Sequence, residues 1–279
     1  MLGTGVVAIV ATAGVGWLSI TAALVSSLDA LTWTSVTMLV VVGVWTYTAR
    51  YAAENVADAA EAVVDDGRAE EVREQPVYAT LGVPTGVTLF RGVLVAGIAG
   101  VGGVAAIGGG VATVGTGTEL WAWGAAVAYG LAAALDSVDG FLARRLERTT
   151  KLGARLDTAV DAFGLLVAPL AGVVLGELPW WYLSVGVARY AFVAGLWWRE
   201  RTGRPTYSLP HRVSRRVLAG LQMAVVPVAL APGVGDAWIP FVAGVAAGGL
   251  LAGFGRDWLY VSGRIEPELR GRQDISARD

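Results

Sequence analysis

Apolar positions along the chain fall into eight long runs, near 3–26, 31–49, 86–107, 118–138, 155–176, 179–198, 216–232 and 237–255, separated by short polar stretches. Each run reaches the ~17–25 residues that a helix needs to cross the hydrocarbon core of a bilayer. The pattern predicts an all-α polytopic membrane bundle of eight transmembrane helices, a two-helix N-terminal hairpin followed by a six-helix core. The first run has no basic segment ahead of it and is followed at once by a second run, so it reads as a retained span and not a signal peptide.

Between hairpin and core the pattern changes. Residues 50–75 hold eight acidic residues, with Ala52, Val56, Ala60 and Val63 at helical spacing, which predicts an acidic, cytosolic, amphipathic linker helix. The expected organisation is therefore a membrane hairpin over 1–50, the linker helix over 51–75, the six-helix core over 76–262 and a polar cytosolic tail over 263–279.

Composition narrows the class further. Charged residues make up 16% of the 279-residue chain and the mean hydropathy is +0.58, whereas a soluble domain carries about 25% charged residues. The absence of cysteine excludes a disulfide scaffold. A single histidine, His211, gives little support to a His-rich metal site or a serine-hydrolase triad. The glycine-rich stretch from Gly97 to Gly110 has neither the preceding strand nor the basic ending of a phosphate-binding loop. The pairs Gly244/Gly248 and Gly249/Gly253 have the spacing that lets helices approach closely.

Charge gives the orientation. On the eight-span topology, twenty of the 21 basic residues fall on one side, while the opposite loops carry only Asp29, Glu119, Glu177 and Asp236. The positive-inside rule places the basic side, and both termini, in the cytoplasm. The exception is Arg189, in the middle of a span, where a charge is costly and usually faces a polar cavity.

Candidate chemistry is concentrated in residues 135–164, LDSVDGFLARRLERTTKLGARLDTAVDAFG. Asp136 and Asp139 share one helix face, and Asp157 and Asp161 share another, because i/i+3 and i/i+4 positions lie close together. The loop between the two helices is cytoplasmic, so both pairs can meet near the inner membrane surface. Four carboxylates brought together in a low-dielectric site need cations to remain ionised. With oxygen donors alone, two hard divalent ions, Mg²⁺ or Mn²⁺, suit the set. Such two-metal sites serve displacement at phosphorus. Gly140, Ala143 and Gly153 leave room for a substrate, and Arg144 can fork onto phosphate oxygens.

The run Asp136-x2-Asp139-Gly140-x2-Ala143-Arg144-x8-Gly153-x3-Asp157-x3-Asp161 resembles the signature of the CDP-alcohol phosphatidyltransferases. All eight fixed positions match without a gap, which chance would produce less than about once in 10⁸ starts at ordinary residue frequencies. Upstream, Pro84 to Arg91 is similar to the Pro-Asn-x-x-Thr-x-x-Arg stretch that begins that family's first core helix, with Thr85 in the Asn position.

The resemblance implies a six-helix core holding a di-metal site in a cytoplasm-facing cavity. It implies transfer of a phosphatidyl-type group from a CDP-linked lipid to an alcohol, with release of CMP, in phospholipid biosynthesis. Asp136, Asp139, Asp157 and Asp161 become metal ligands, and Asp161 also the base for the acceptor hydroxyl. Gly140, Ala143, Arg144, Gly153, Thr88 and Arg91 become contacts of the nucleotide and diphosphate. The resemblance says nothing about the two N-terminal helices.

Arg189, with Arg212, Arg215 and Arg216 at the start of the fifth core helix, is the candidate set for an acceptor phosphate. This favours a phosphorylated polyol, glycerol phosphate or inositol phosphate, over a serine-like acceptor. The alternative of a transporter using intramembrane Asp and Arg would scatter charges at mid-bilayer depth; here the four aspartates follow one spacing. Expected partners are the CDP-linked lipid, a small polar alcohol and the bilayer itself, with a homodimer allowed and no nucleic acid.

Overall fold

The computed structural model describes residues 26–56, 78, 80–107, 116–145, 150–209, 213–234 and 237–265, together with residues 11, 12 and 15. Among them the regular elements are helical: α1 Ser27–Arg50, α2 Val83–Ile107, α3 Thr116–Arg145, α4 Lys151–Leu175, α5 Leu183–Arg201, α6 Val213–Leu230 and α7 Ile239–Val261, with short 3-10 turns at Ala52–Glu54 and Trp180–Tyr182. Four of them, α1, α2, α4 and α7, are long and apolar enough to cross a membrane by length and composition. The expected span 3–26 lies outside the described residues, apart from positions 11, 12 and 15. Of the expected linker helix, residues 51–56 are described, and they form a turn; 57–75 lie outside, as does the tail beyond 265.

Helix α2 is the centre of the bundle, packing on α1, α3 and α4, while α3 also meets α6, α4 meets α5, and α7 rests on α5 and α6. In lipid no hydrophobic driving force separates helix faces, so close backbone approach and van der Waals contact decide the packing. The α1–α2 contact follows that rule. A Cβ at Gly100 would collide with Trp33 and Thr37, and one at Gly103 would reach Val36 at 2.9 Å. Between them the Trp33 indole donates to the Gly97 carbonyl at 3.0 Å. Similarly, the backbone of Gly186 on α5 abuts α4, where an added Cβ would lie 2.7 Å from the Leu165 carbonyl. Leu218 of α6 lies against Gly249 and Gly253 of α7, the small-residue face expected from their spacing.

Helix α4 carries two of the candidate aspartates, and its ends are firmly capped. The Thr150 hydroxyl accepts from the Gly153 amide at 3.0 Å, and Gly176 closes the C-terminus in the left-handed region at φ 84°. Such caps satisfy backbone groups that a helix end otherwise leaves unpaired. One buried polar network ties the second half of the bundle together. The Tyr182 hydroxyl hydrogen-bonds the Gln222 side-chain oxygen, whose amide donates to the Ala246 carbonyl at 2.7 Å.

Candidate active site

Three helices bring the site together. Arg91 lies in the third turn of α2, Asp136 in the C-terminal half of α3, and Asp157 and Asp161 one turn apart near the start of α4. One carboxylate oxygen from each of Asp136, Asp157 and Asp161 lies within 4.8 Å of the other two. Arg91 sits among them: one guanidinium nitrogen is 2.7 Å from Asp157, the other is 2.9 Å from Asp136 and also pairs with Asp161. Its Nε donates to the Ala132 carbonyl at 3.2 Å, one turn before Asp136.

Burial is asymmetric. Arg91 is 3% exposed, whereas the three carboxylates keep 26–41% of their surface. The cation forms the floor, and the anions open toward whatever binds above. Three carboxylates against one guanidinium leave an excess of negative charge. Convergent hard oxygen donors with that excess fit a divalent cation. Below the cluster a narrow cavity is lined by Arg91, Tyr129, Val160, Asp161 and Met223, so the buried Tyr129 walls Asp161 from the bundle interior.

The sequence candidates divide by where the structure puts them. Asp136, Asp157 and Asp161 meet at one point. Arg91 belongs to the same point through ion pairs. Thr88 is buried one turn before Arg91, with its hydroxyl donating to the Pro84 carbonyl at 3.2 Å. Gly153 is a site of close approach: a Cβ there would lie 3.1 Å from the Thr150 hydroxyl and 3.3 Å from that of Thr85. Gly140 lies on α3, one residue past Asp139. The side chains of Asp139, Ala143, Arg144 and Arg216, and all of Arg212, lie outside the described residues.

The motif residues on α3 and α4 and the carboxylate cluster invite comparison with known proteins. The sequence pattern of the CDP-alcohol phosphatidyltransferases matches residues 81–251, more than half of the chain. The chain belongs to this family. Proteins of Mycobacterium bovis and Mycobacterium tuberculosis, named as candidate cardiolipin synthases, are each 34% identical over 87 residues, which is 30% of this chain and 41% of theirs. The chain thus spans about two fifths of the length of the curated relatives it matches. No solved structure gives a significant match.

Within this phosphatidyltransferase domain the two candidate acceptor arginines that are described behave differently. Arg215 binds Asp257, with its Nε 2.6 Å from a carboxylate oxygen, and the pair joins the start of α6 to the end of α7. Met223, which lines the cavity beside Asp161, is eight residues further along α6, or about 12 Å of helix rise. Arg189 has no hydrogen-bond or ion-pair partner among the described residues. Its neighbour Gly186 abuts Leu165, and Tyr190 shares a groove with Ala159 and Phe163. Arg189 therefore stands on α5 at about the height of Asp161 along the antiparallel α4.

Sequence reasoning missed Asp257, Tyr129 and the Thr150 cap. Only the last left a local signal, a threonine three residues ahead of a helical glycine.

Proposed function

We propose that this chain transfers a phosphatidyl-type group, diacyl- or dialkyl-glycerol phosphate, from a CDP-linked lipid to the hydroxyl of a phosphorylated polyol and releases CMP. The observation that carries the reading is the convergence of Asp136, Asp157 and Asp161 around Arg91 in a chain of this family. In this reading the acceptor oxygen forms a bond to the lipid phosphorus, the bond from that phosphorus to CMP breaks, and Asp161 takes the hydroxyl proton. Asp136, Asp139, Asp157 and Asp161 would hold two divalent cations, Mg²⁺ or Mn²⁺, which when bound supply positive charge for the attacking and leaving oxygens. Gly140, Ala143 and Gly153 give the diphosphate room, and Arg144 binds its oxygens. The carboxylate end of α4 faces the cytoplasm, in keeping with the distribution of basic residues.

For the acceptor, Arg189, which has no hydrogen-bond or ion-pair partner among the described residues, is the favoured phosphate contact, with Arg212, Arg215 and Arg216 forming the basic approach. The mycobacterial relatives, named as candidate cardiolipin synthases, agree with phosphatidyl transfer in phospholipid synthesis. The test is CMP release from membranes containing the protein, supplied with a CDP-lipid and a panel of phosphorylated and unphosphorylated alcohols. Preference for a neutral alcohol such as serine overturns the phosphorylated-polyol assignment, and no CMP release with any acceptor overturns the reaction.

Two further outcomes follow. Excess EDTA should abolish CMP release and added Mg²⁺ or Mn²⁺ should restore it; full turnover in EDTA removes the metal assignment. Arg189→Ala should raise the acceptor KM about 10–100-fold with little change in affinity for the CDP-lipid, because a charge-assisted contact contributes ~1.5–3 kcal/mol. An unchanged acceptor KM removes Arg189 from the acceptor site.

A further inference from the structure

Helix α1 precedes the residues that match the family, yet it lines a groove with α4, the helix that carries Asp157 and Asp161. An apolar groove of about 480 Å³ runs between α1 and α4, with Leu39, Gly43 and Val44 on one side and Leu156, Val160 and Phe163 on the other. That volume is within the ~300–1,000 Å³ typical of small-molecule sites. Leu156, Val160 and Phe163 follow i, i+4, i+7 spacing and form one face of α4. Asp157, Asp161 and Gly164 occupy the adjoining face, about 100° round the helix. Val160 borders both the groove and the cavity that contains Arg91 and Asp161. The buried Val160 side chain is thus all that the two share, and the groove lies one side chain away from the cavity beside Asp161.

Its direction is also informative. From Tyr47 to Leu39 the α1 wall covers about 12 Å of helix rise, most of one leaflet of a hydrocarbon core ~30 Å thick. It starts near Leu156 and runs along α4 to Phe163, away from the Thr150 cap. The wall is fixed at both ends. Trp33 and Gly100 lock the first half of α1 onto α2. Just beyond its last turn, the buried Asn55 amide donates to the carbonyls of Tyr78 and Thr80 at 2.9 and 3.2 Å, and Glu54 pairs with Arg155 of α4 at 2.7 Å. A comparable apolar groove between α1, α2 and α3 shares no lining residue with the cavity that contains Arg91 and Asp161.

We propose that α1 is a built-in wall of the donor-lipid site, and that the α1–α4 groove receives one hydrocarbon chain of the CDP-linked lipid. This rests on the phosphatidyl-transfer reading above. Surrounding lipid is as apolar as the groove, so burial gives no hydrophobic gain. The role of the groove is to set where the donor phosphorus stands relative to Asp161.

Gly43 provides the test, because a Cβ there meets nothing within 4 Å. In detergent-solubilised full-length protein, Gly43→Phe should fill the groove and Gly43→Ala should leave it open. With a long-chain CDP-lipid, Gly43→Phe should lower kcat/KM at least about tenfold, since a ~1 Å misplacement of reacting groups can cost ~10²-fold. With a dibutanoyl donor, whose four-carbon chains cannot fill a groove about 12 Å long, the loss in Gly43→Phe should be much smaller, and with the long-chain donor Gly43→Ala should lose far less than Gly43→Phe. Equal loss on both donors, or loss on neither, overturns the proposal.

A CDP-lipid with a photoreactive group near the end of one chain provides a readout independent of the variant's folding. It should label α1 in the wild type, and unlabelled CDP-lipid should suppress that labelling while a bulk phospholipid does not. Labelling suppressed equally by both means that ambient lipid fills the groove, which overturns the proposal. Failure of the parent reading looks different: the wild type then releases no CMP from either donor.

Discussion

Asp161→Asn is expected to remove most of the transfer rate, by ~10²–10⁴-fold, the usual contribution of a positioned general base. The amide matches the carboxyl in size and still accepts a hydrogen bond from Arg91, so the packing around Arg91, Tyr129 and Val160 should survive. What disappears is a negative charge and a proton acceptor one turn beyond Asp157. Affinity for the CDP-lipid should therefore change little while kcat collapses. Asp136→Asn and Asp157→Asn should behave differently, raising the divalent-ion concentration needed for half-maximal rate as well as lowering the rate. The comparison is made by titrating Mg²⁺ at saturating donor and acceptor. If Asp161→Asn shifts only the ion requirement and regains wild-type kcat at saturation, its role is that of a ligand and not a base.

Local spacing carried much of this site. Asp157 and Asp161 share a face because any residues four apart on a helix do, and the position of Asp136 in the motif joined it to them. The role of Arg91 depended on something non-local. It is 45 residues upstream of Asp136, and the resemblance marked it as a diphosphate contact; its ion pairs with all three carboxylates exist only because α2 packs against both α3 and α4. The partner of Arg215 was hidden for the same reason, since Asp257 lies 42 residues away on another helix.

Helix ends differed in an instructive direction. The apolar run ending at 138 continues as helix to Arg145, and the run ending at 255 continues to Val261, because apolarity marks the membrane while backbone hydrogen bonds mark the helix. At the start of α4 the expected 155 moves back to Lys151, where Thr150 caps the first turn. The expected start at 179 moves on to Leu183, because Trp180–Tyr182 form a 3-10 turn after Pro179. The groove beside α1 could not be read from sequence at all. It requires the pairing of a helix outside the family signature with one inside it.

The charge arrangement around Arg91 leads to a second large effect, on stability. Arg91→Ala leaves Asp136, Asp157 and Asp161 converging with no cation of their own, and breaking a buried charge pair costs ~3–5 kcal/mol. The carboxylates are 26–41% exposed, so water relieves part of that repulsion and the lower end, about 3 kcal/mol, is expected. The loss should depend on divalent ions. In the wild type Arg91 already supplies one positive charge, whereas in Arg91→Ala a divalent ion has to supply all of it. The apparent Tm of the purified variant should thus fall steeply in EDTA and recover substantially with Mg²⁺ or Mn²⁺, while the wild type moves much less between the two conditions. Arg91→Lys should lie between them, since an ammonium keeps the charge but lacks the planar fork that reaches several carboxylates at once. Thermal unfolding of the three proteins with and without divalent ions decides the point. A deficit in Arg91→Ala that is the same in EDTA and in Mg²⁺ would mean that Arg91 holds the helices together by packing alone, and that the three aspartates do not together demand a cation.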